Sequence, residues 1–160
     1  MTSNSAATTQ EGVIVVERVF DAPRELVWQA WTDPEHFKQW WGPKGFTSPS
    51  VEIDLQVGGK YFLSMTSPDG ENTYYNTGVY REITPQERLV FTQSGADAQG
   101  NAVAMGEGMP METEVTVTFE DLGGKTRLTL KQAGFPSNEM SEMAGEGWRQ
   151  SFEKLAGTLD

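Results

Sequence analysis

One histidine, no cysteine and a few strand glutamates set what this chain can do chemically. His36 sits in the first turn of a short helix, DPEH, so any Ser-His-Asp arrangement would have to be built there; its plain reading is a residue at the start of that helix. Without cysteine there is no thiol nucleophile, no disulfide and no thiolate metal ligand. A metal site would need carboxylates alone or carboxylates plus His36, and no ligand spacing suggests either, so neither metal nor cofactor is expected. Gly58-Gly59 and Gly123-Gly124 lie between alternating strands and read as hairpin turns, not phosphate cradles. Acid–base work would fall to Glu52, Glu82 or Glu112, whose strand positions place them on a solvent face. No catalytic residue is assigned.

The apolar residues carry more information. WTDPEHFKQWWGPKGF, Trp31 to Phe46, crowds five large aromatics into sixteen residues. Burying one such side chain removes roughly 150–250 Å² from water, worth about 4–6 kcal/mol before entropy. Five left exposed would make an association patch. Trp31 shares a helical face with Val27 and Ala30 and is expected in the core. Phe37, Trp40 and Trp41 are three and four apart and share a face of a two-turn helix. Lining and plain packing are both open for Trp40, and partial exposure is open for Trp41 at the helix end.

Several elements must position these groups. GVIVVERVF, Gly12–Phe20, is β-branched and reads as a strand. Pro23 opens one helix; Asp33 caps the next, with Pro34 at its first position and Gly42-Pro43 ending it. From Phe46 to Gln132 the period is two. Val51, Ile53, Leu55 and Val57 alternate with polar neighbours, then Tyr61, Leu63 and Met65; strands follow at Tyr74–Ile83 and Arg88–Ser94. Gly78 in mid-strand marks a bulge or a close approach to the backbone. The loop after Gln93 has no clear period, and loops of that length are commonly functional lids or disordered. A hairpin follows, with Val115, Val117 and Phe119 before its turn and Leu128 and Leu130 after it. Met140, Ala144, Trp148, Phe152, Leu155 and Leu159 form one stripe on a final long helix. The pattern predicts an α+β domain over residues 12–160, with residues 1–11 a disordered tail. If the sheet curls around the helix, a cavity remains between them.

The 160 residues carry a net charge of −11, which disfavours non-specific binding to nucleic acid or to an anionic membrane surface. The N-terminus lacks the features of a signal peptide and no apolar run reaches a membrane span, so a soluble, cytoplasmic chain without membrane insertion is expected. Monomer and homodimer are both open.

DAPRELVWQAWTDPEHFKQWWGPKGF resembles the signature of proteins related to the C-terminal domain of the activator of the 90-kDa heat-shock-protein ATPase, within the START-like (SRPBCC, Bet v 1-like) superfamily. VGGKYFLSM, TGVYREITPQERLVFT, VTVTFEDLGGKTRLTL and GWRQSFEKLAGTL extend the resemblance over residues 12–160. It implies a helix-grip fold, with a seven-stranded antiparallel sheet around the C-terminal helix, two short helices after the first strand, and an apolar cavity. On that fold the cavity set is Phe37, Trp40, Val51, Ile53, Tyr61, Leu63, Met65, Gly78, Tyr80, Phe91, Val117, Trp148 and Phe152. Met105 and Met109, on the long loop, would lie over its mouth as a lid. Three functions follow as expectations: binding of an apolar small molecule or lipid in a cavity of about 300–1,000 Å³; contact with the 90-kDa heat shock chaperone in a stress-response setting; or a cyclase- or hydrolase-like activity in the same cavity.

Overall fold

The computed structural model describes residues 12–104 and 111–159; residues 1–11, expected as a tail, and Met105 and Met109, expected as a lid, lie outside the described residues. β1 (Val13–Phe20) leads into two helices, α1 (Arg24–Thr32) and α2 (Pro34–Phe37). Then come β2 (Val51–Ile53), β3 (Lys60–Thr66), β4 (Thr73–Thr84), β5 (Arg88–Ala96), β6 (Ala102–Val103), β7 (Thr113–Asp121) and β8 (Thr126–Ala133). The chain closes on α3 (Asn138–Thr158). The strands pair antiparallel in the order β1-β8-β7-β5-β4-β3-β2, with β6 added beside β5. This is the helix-grip arrangement: a curved sheet, open at both edges, with α3 across its inner face.

The local chemistry behaves as the residue types dictate. Asp33 caps α2 by accepting the backbone N–H of Glu35, and Pro34 fills a first-turn position where no N–H partner is needed. Ser137 caps α3 through the Met140 N–H. Trp148, Phe152 and Leu155 form the buried part of the α3 stripe, while Met140, Ala144 and Leu159 pack at its margins.

Three expectations change. Leu55 and Val57 are not strand residues: β2 stops at Ile53, and the chain turns through Gln56-Val57-Gly58, held by Asp54 N–H to Lys60 O and Gly58 N–H to Tyr80 O, which leaves both side chains exposed. An eighth strand, β6, takes residues read as loop, because Gly95 and Ala96 at the end of β5 offer backbone for pairing. The helix after Asp33 is a single turn, yet the backbone N–H of Trp41 still bonds the Phe37 carbonyl, so Phe37, Trp40 and Trp41 all turn inward.

Two glycines set how closely elements approach. At Gly145 a Cβ would lie 2.7 Å from Ile14 Cγ1, so a bare backbone is what lets α3 sit on β1. At Gly78, opposite Tyr61 in the β3–β4 register, a Cβ would lie 1.9 Å from the Thr92 carbonyl oxygen and 2.6 Å from the Tyr61 hydroxyl. The space belongs to a hydrogen bond: Tyr61 Oη donates to Thr92 O at 2.6 Å. The register shift expected nearby lies between Tyr80 and Glu82.

Gly78→Ala should therefore destabilise the fold by about 3 kcal/mol, since both atoms it meets are fixed. Gly157→Ala, where nothing stands within 4 Å, should instead stabilise it by up to about 1 kcal/mol. Urea denaturation midpoints of the two variants would check the contrast.

Candidate functional site

The inner face of the sheet follows the two-residue period. Ile53 on β2, Tyr61 and Leu63 on β3, Tyr80 on β4, and Leu89, Phe91 and Gln93 on β5 face α3 together with Trp31, Phe37, Trp41 and Trp148. The space these residues enclose is about 20 Å³, room for about one water. The expected cavity of about 300–1,000 Å³ is thus reduced to a small aromatic-walled chamber, because indole and phenyl rings fill it. Trp31 lies 4.8 Å from Trp40 and 5.9 Å from Trp148, ring centroid to centroid, the second pair stacked at 25°.

A second recess, of about 220 Å³, lies beyond one wall of the chamber. Its lining includes Met65, Asn76, Gln132, Phe135 and Ser151. Trp41, Gln93 and Trp148 line both spaces and form the partition between them. Trp41 meets Trp148 edge-on at 5.5 Å. It is 6% exposed, which decides the open question of its exposure in favour of burial, because its ring closes this partition.

Behind the partition runs a polar ribbon across three neighbouring strands and α3. Gln132 on β8 donates from Nε2 to Gln93 Oε1 and to Thr113 Oγ1, and its Oε1 accepts the Trp148 indole N–H at 2.8 Å. Thr113 in turn donates to the Gln93 carbonyl. Each of these groups is buried, so each hydrogen bond removes a desolvation cost of about 1–3 kcal/mol. Two other donors find no such answer: Nε1 of Trp31 and of Trp41 are buried with no acceptor among the described residues. The Trp40 indole, by contrast, donates to the Ala30 carbonyl at 3.0 Å.

One lysine holds the aromatic segment on α3. Lys154 Nζ lies 3.0–3.4 Å from the backbone carbonyls of Trp41, Gly42, Pro43 and Phe46. Ser151 Oγ also donates to the Gly42 carbonyl. Burial lowers the Lys154 pKa from its ordinary value. The phenols go the other way: burial raises Tyr61 well above its usual value, with Tyr80 and Glu112 adding to it, and burial then Asp54 raise Tyr80. Both are neutral hydroxyls at physiological pH, unsuited to act as bases.

Residues 21–160 match the family described as Activator of Hsp90 ATPase homolog 1-like protein. The chain belongs to that family. Among solved structures, protein CV1439 from Chromobacterium violaceum is similar at 30% identity and a TM-score of 0.79, over 92% of this chain and 96% of that one. A protein from Arthrobacter aurescens matches at 30% identity and a TM-score of 0.79, over 99% of this chain and 89% of its own. The AHSA1 protein from Silicibacter pomeroyi matches at 29% identity and a TM-score of 0.76, covering 92% and 96% of the two chains. Among curated proteins no sequence match is found. No described helix is long and apolar enough to cross a membrane.

In this family member, Phe37, Ile53, Tyr61, Leu63, Tyr80, Phe91 and Trp148 of the expected set line the chamber, and Met65 lines the outer recess. Trp40 and Val117 are fully buried packing residues and Val51 packs at the core's edge. Phe152 packs edge-on to Phe20 and beside a groove between β1 and α3, and Gly78 gives clearance to the Tyr61 hydroxyl. Sequence reasoning missed Trp41, Leu89, Gln93, Gln132 and Lys154. For the two glutamines a signal existed: each continues an inward series, Leu89-Phe91-Gln93 and Leu128-Leu130-Gln132, with a polar group where the period demands an apolar one. Lys154 had none, since its partners are carbonyls.

The acid–base candidates lie elsewhere. Glu52 is exposed, Glu82 pairs with Arg88 at 3.2 Å, and Glu112 lies 3.8 Å from Arg81. His36 is held at 2.8 Å from Thr158 Oγ1, whose own proton goes to the Leu155 carbonyl; the imidazole must therefore donate from Nε2. Burial lowers its pKa from 6.5, with Asp33 opposing.

The unfolded chain thus holds its His36 proton at higher pH than the folded one. The His36 contribution to stability should be complete above about pH 6.5 and decline as pH falls through the folded value. An NMR titration of the imidazole should give a midpoint below 6.5 and the Nε2–H tautomer. Gln132→Leu should cost about 2–5 kcal/mol by orphaning the Trp148 N–H and the Gln93 side chain. Thermal unfolding and the Trp148 indole N–H resonance would report it.

Proposed function

We propose that this protein binds an apolar small molecule or lipid between its sheet and α3, without catalysing a reaction on it. The observation that carries this reading is the partition. An aromatic chamber and a 220 Å³ recess share Trp41, Gln93 and Trp148, and none of the described residues lining either space is charged. Joined, the two spaces approach the low end of the range typical for small-molecule sites. Apolar walls with a few polar groups supply affinity by area and orientation by hydrogen bonds. A cytoplasmic setting and the absence of a nucleic-acid partner are in keeping with the net charge of −11.

The family description favours a second reading, contact with the 90-kDa heat shock chaperone and stimulation of its ATPase. The two separate in one pair of measurements. Titration with a naphthalene-based hydrophobic dye should change the tryptophan emission saturably, and lipophilic competitors should reverse it, while the chaperone's ATP turnover stays unchanged on adding this protein. No saturable dye binding, together with stimulated turnover, would replace the binding reading with the chaperone one.

A further inference from the structure

The chamber's hydrogen-bonding balance says what kind of molecule would fit, given that binding occurs there. Its walls hold a surplus of donors. Oε1 of Gln93 and Oε1 of Gln132 already accept hydrogen bonds within the ribbon, and Tyr61, its proton spent on Thr92, is left with an acceptor oxygen only. Trp31 and Trp41 both wall the chamber, both are more than nine-tenths buried, and neither indole N–H meets an acceptor among the described residues. A molecule that brought only donors would leave both indole N–H groups unanswered. A molecule that brought a carboxylate would place a charge where no described lining residue offers a counter-charge, at a desolvation cost the indoles could not offset.

The partition also says how such a molecule gets in. Of its three side chains, Trp148 and Gln93 are fixed by hydrogen bonds to Gln132. Trp41 finds no side-chain hydrogen bond among the described residues, although Lys154 clamps its backbone carbonyl. Rotation about its side-chain torsions is therefore the movement that joins the chamber to the recess without disturbing the backbone.

We infer that the site takes a neutral, flat, apolar molecule bearing a carbonyl-type acceptor, which displaces the Trp41 ring and receives the Nε1–H donors of Trp31 and Trp41. This rests on the binding reading above and adds the acceptor requirement to it.

The test compares 9-fluorenone with fluorene, two molecules of the same three-ring outline that differ by a ketone for a methylene, and with 9-fluorenecarboxylate. Binding is followed by calorimetry and by the indole N–H resonances in ¹⁵N-labelled protein, assigned with Trp31→Phe and Trp41→Phe. The ketone should bind about tenfold tighter than fluorene, the worth of one well-made buried hydrogen bond. The Trp31 and Trp41 resonances should move with fluorenone and not with fluorene, and the carboxylate should bind more weakly than either. Trp41→Phe should reduce the ketone's advantage over fluorene to about twofold, whatever it does to the affinity both share. Equal affinities with unmoved indole resonances, or tightest binding by the carboxylate, would overturn the acceptor requirement while leaving apolar binding in place. No binding of any of the three would overturn both.

Discussion

The indole of Trp31 is buried at the meeting point of α1, the sheet and α3, and the placement of each follows from fitting it. It stacks on Trp148 from α3, lies against Trp40 and Phe37 from the segment after Asp33, and meets Phe91 and Phe119 on the sheet. A ring of that size, fully excluded from water, is worth several kcal/mol in apolar burial. Its N–H nonetheless finds no partner among the described residues, a cost of about 1–3 kcal/mol that a phenylalanine would not incur. Trp41, which lines the same chamber, carries the same cost, and the proposed acceptor would answer both donors.

Around that hub the structure separates what is held from what is free. The Gln132 ribbon fixes Gln93 and Trp148, and the Lys154 clamp fixes the backbone from Trp41 to Phe46. Neither fixes the Trp41 ring. A rigid frame with one unanchored wall differs from a loosely packed core, in which many side chains would share the freedom. It also differs from a preformed cavity: the chamber of about 20 Å³ is closed by aromatic packing, and capacity depends on one side chain's position.

Much of the fold was legible in the sequence because its signals are local. Alternation through Tyr61-Leu63-Met65 and Val115-Val117-Phe119, the stripe from Met140 to Leu159, and the Asp33-Pro34 cap each act over a few residues. Leu55 and Val57 alternate equally well and are turn residues, because hydrogen bonds to Lys60 and Tyr80 decide their backbone and lie outside any local window. The site was half legible for the same reason. Periodicity says that a residue points inward, not whether it meets a void or another side chain; Trp40 and Trp41 are adjacent, and one packs while the other forms the partition. The polar ribbon left a faint trace as Gln93 and Gln132 at inward positions. The Lys154 clamp left none, since backbone carbonyls are the same at every residue.

The most direct test of this account is a crystal structure of the protein grown with 9-fluorenone. The account predicts density for the three-ring molecule across the present partition, the Trp41 ring turned away from Trp148, and the ketone oxygen within hydrogen-bonding distance of an indole Nε1. A ligand found elsewhere, on the outer face of the sheet or in the groove between β1 and α3, with the Trp41 ring still packed on Trp148, would contradict it.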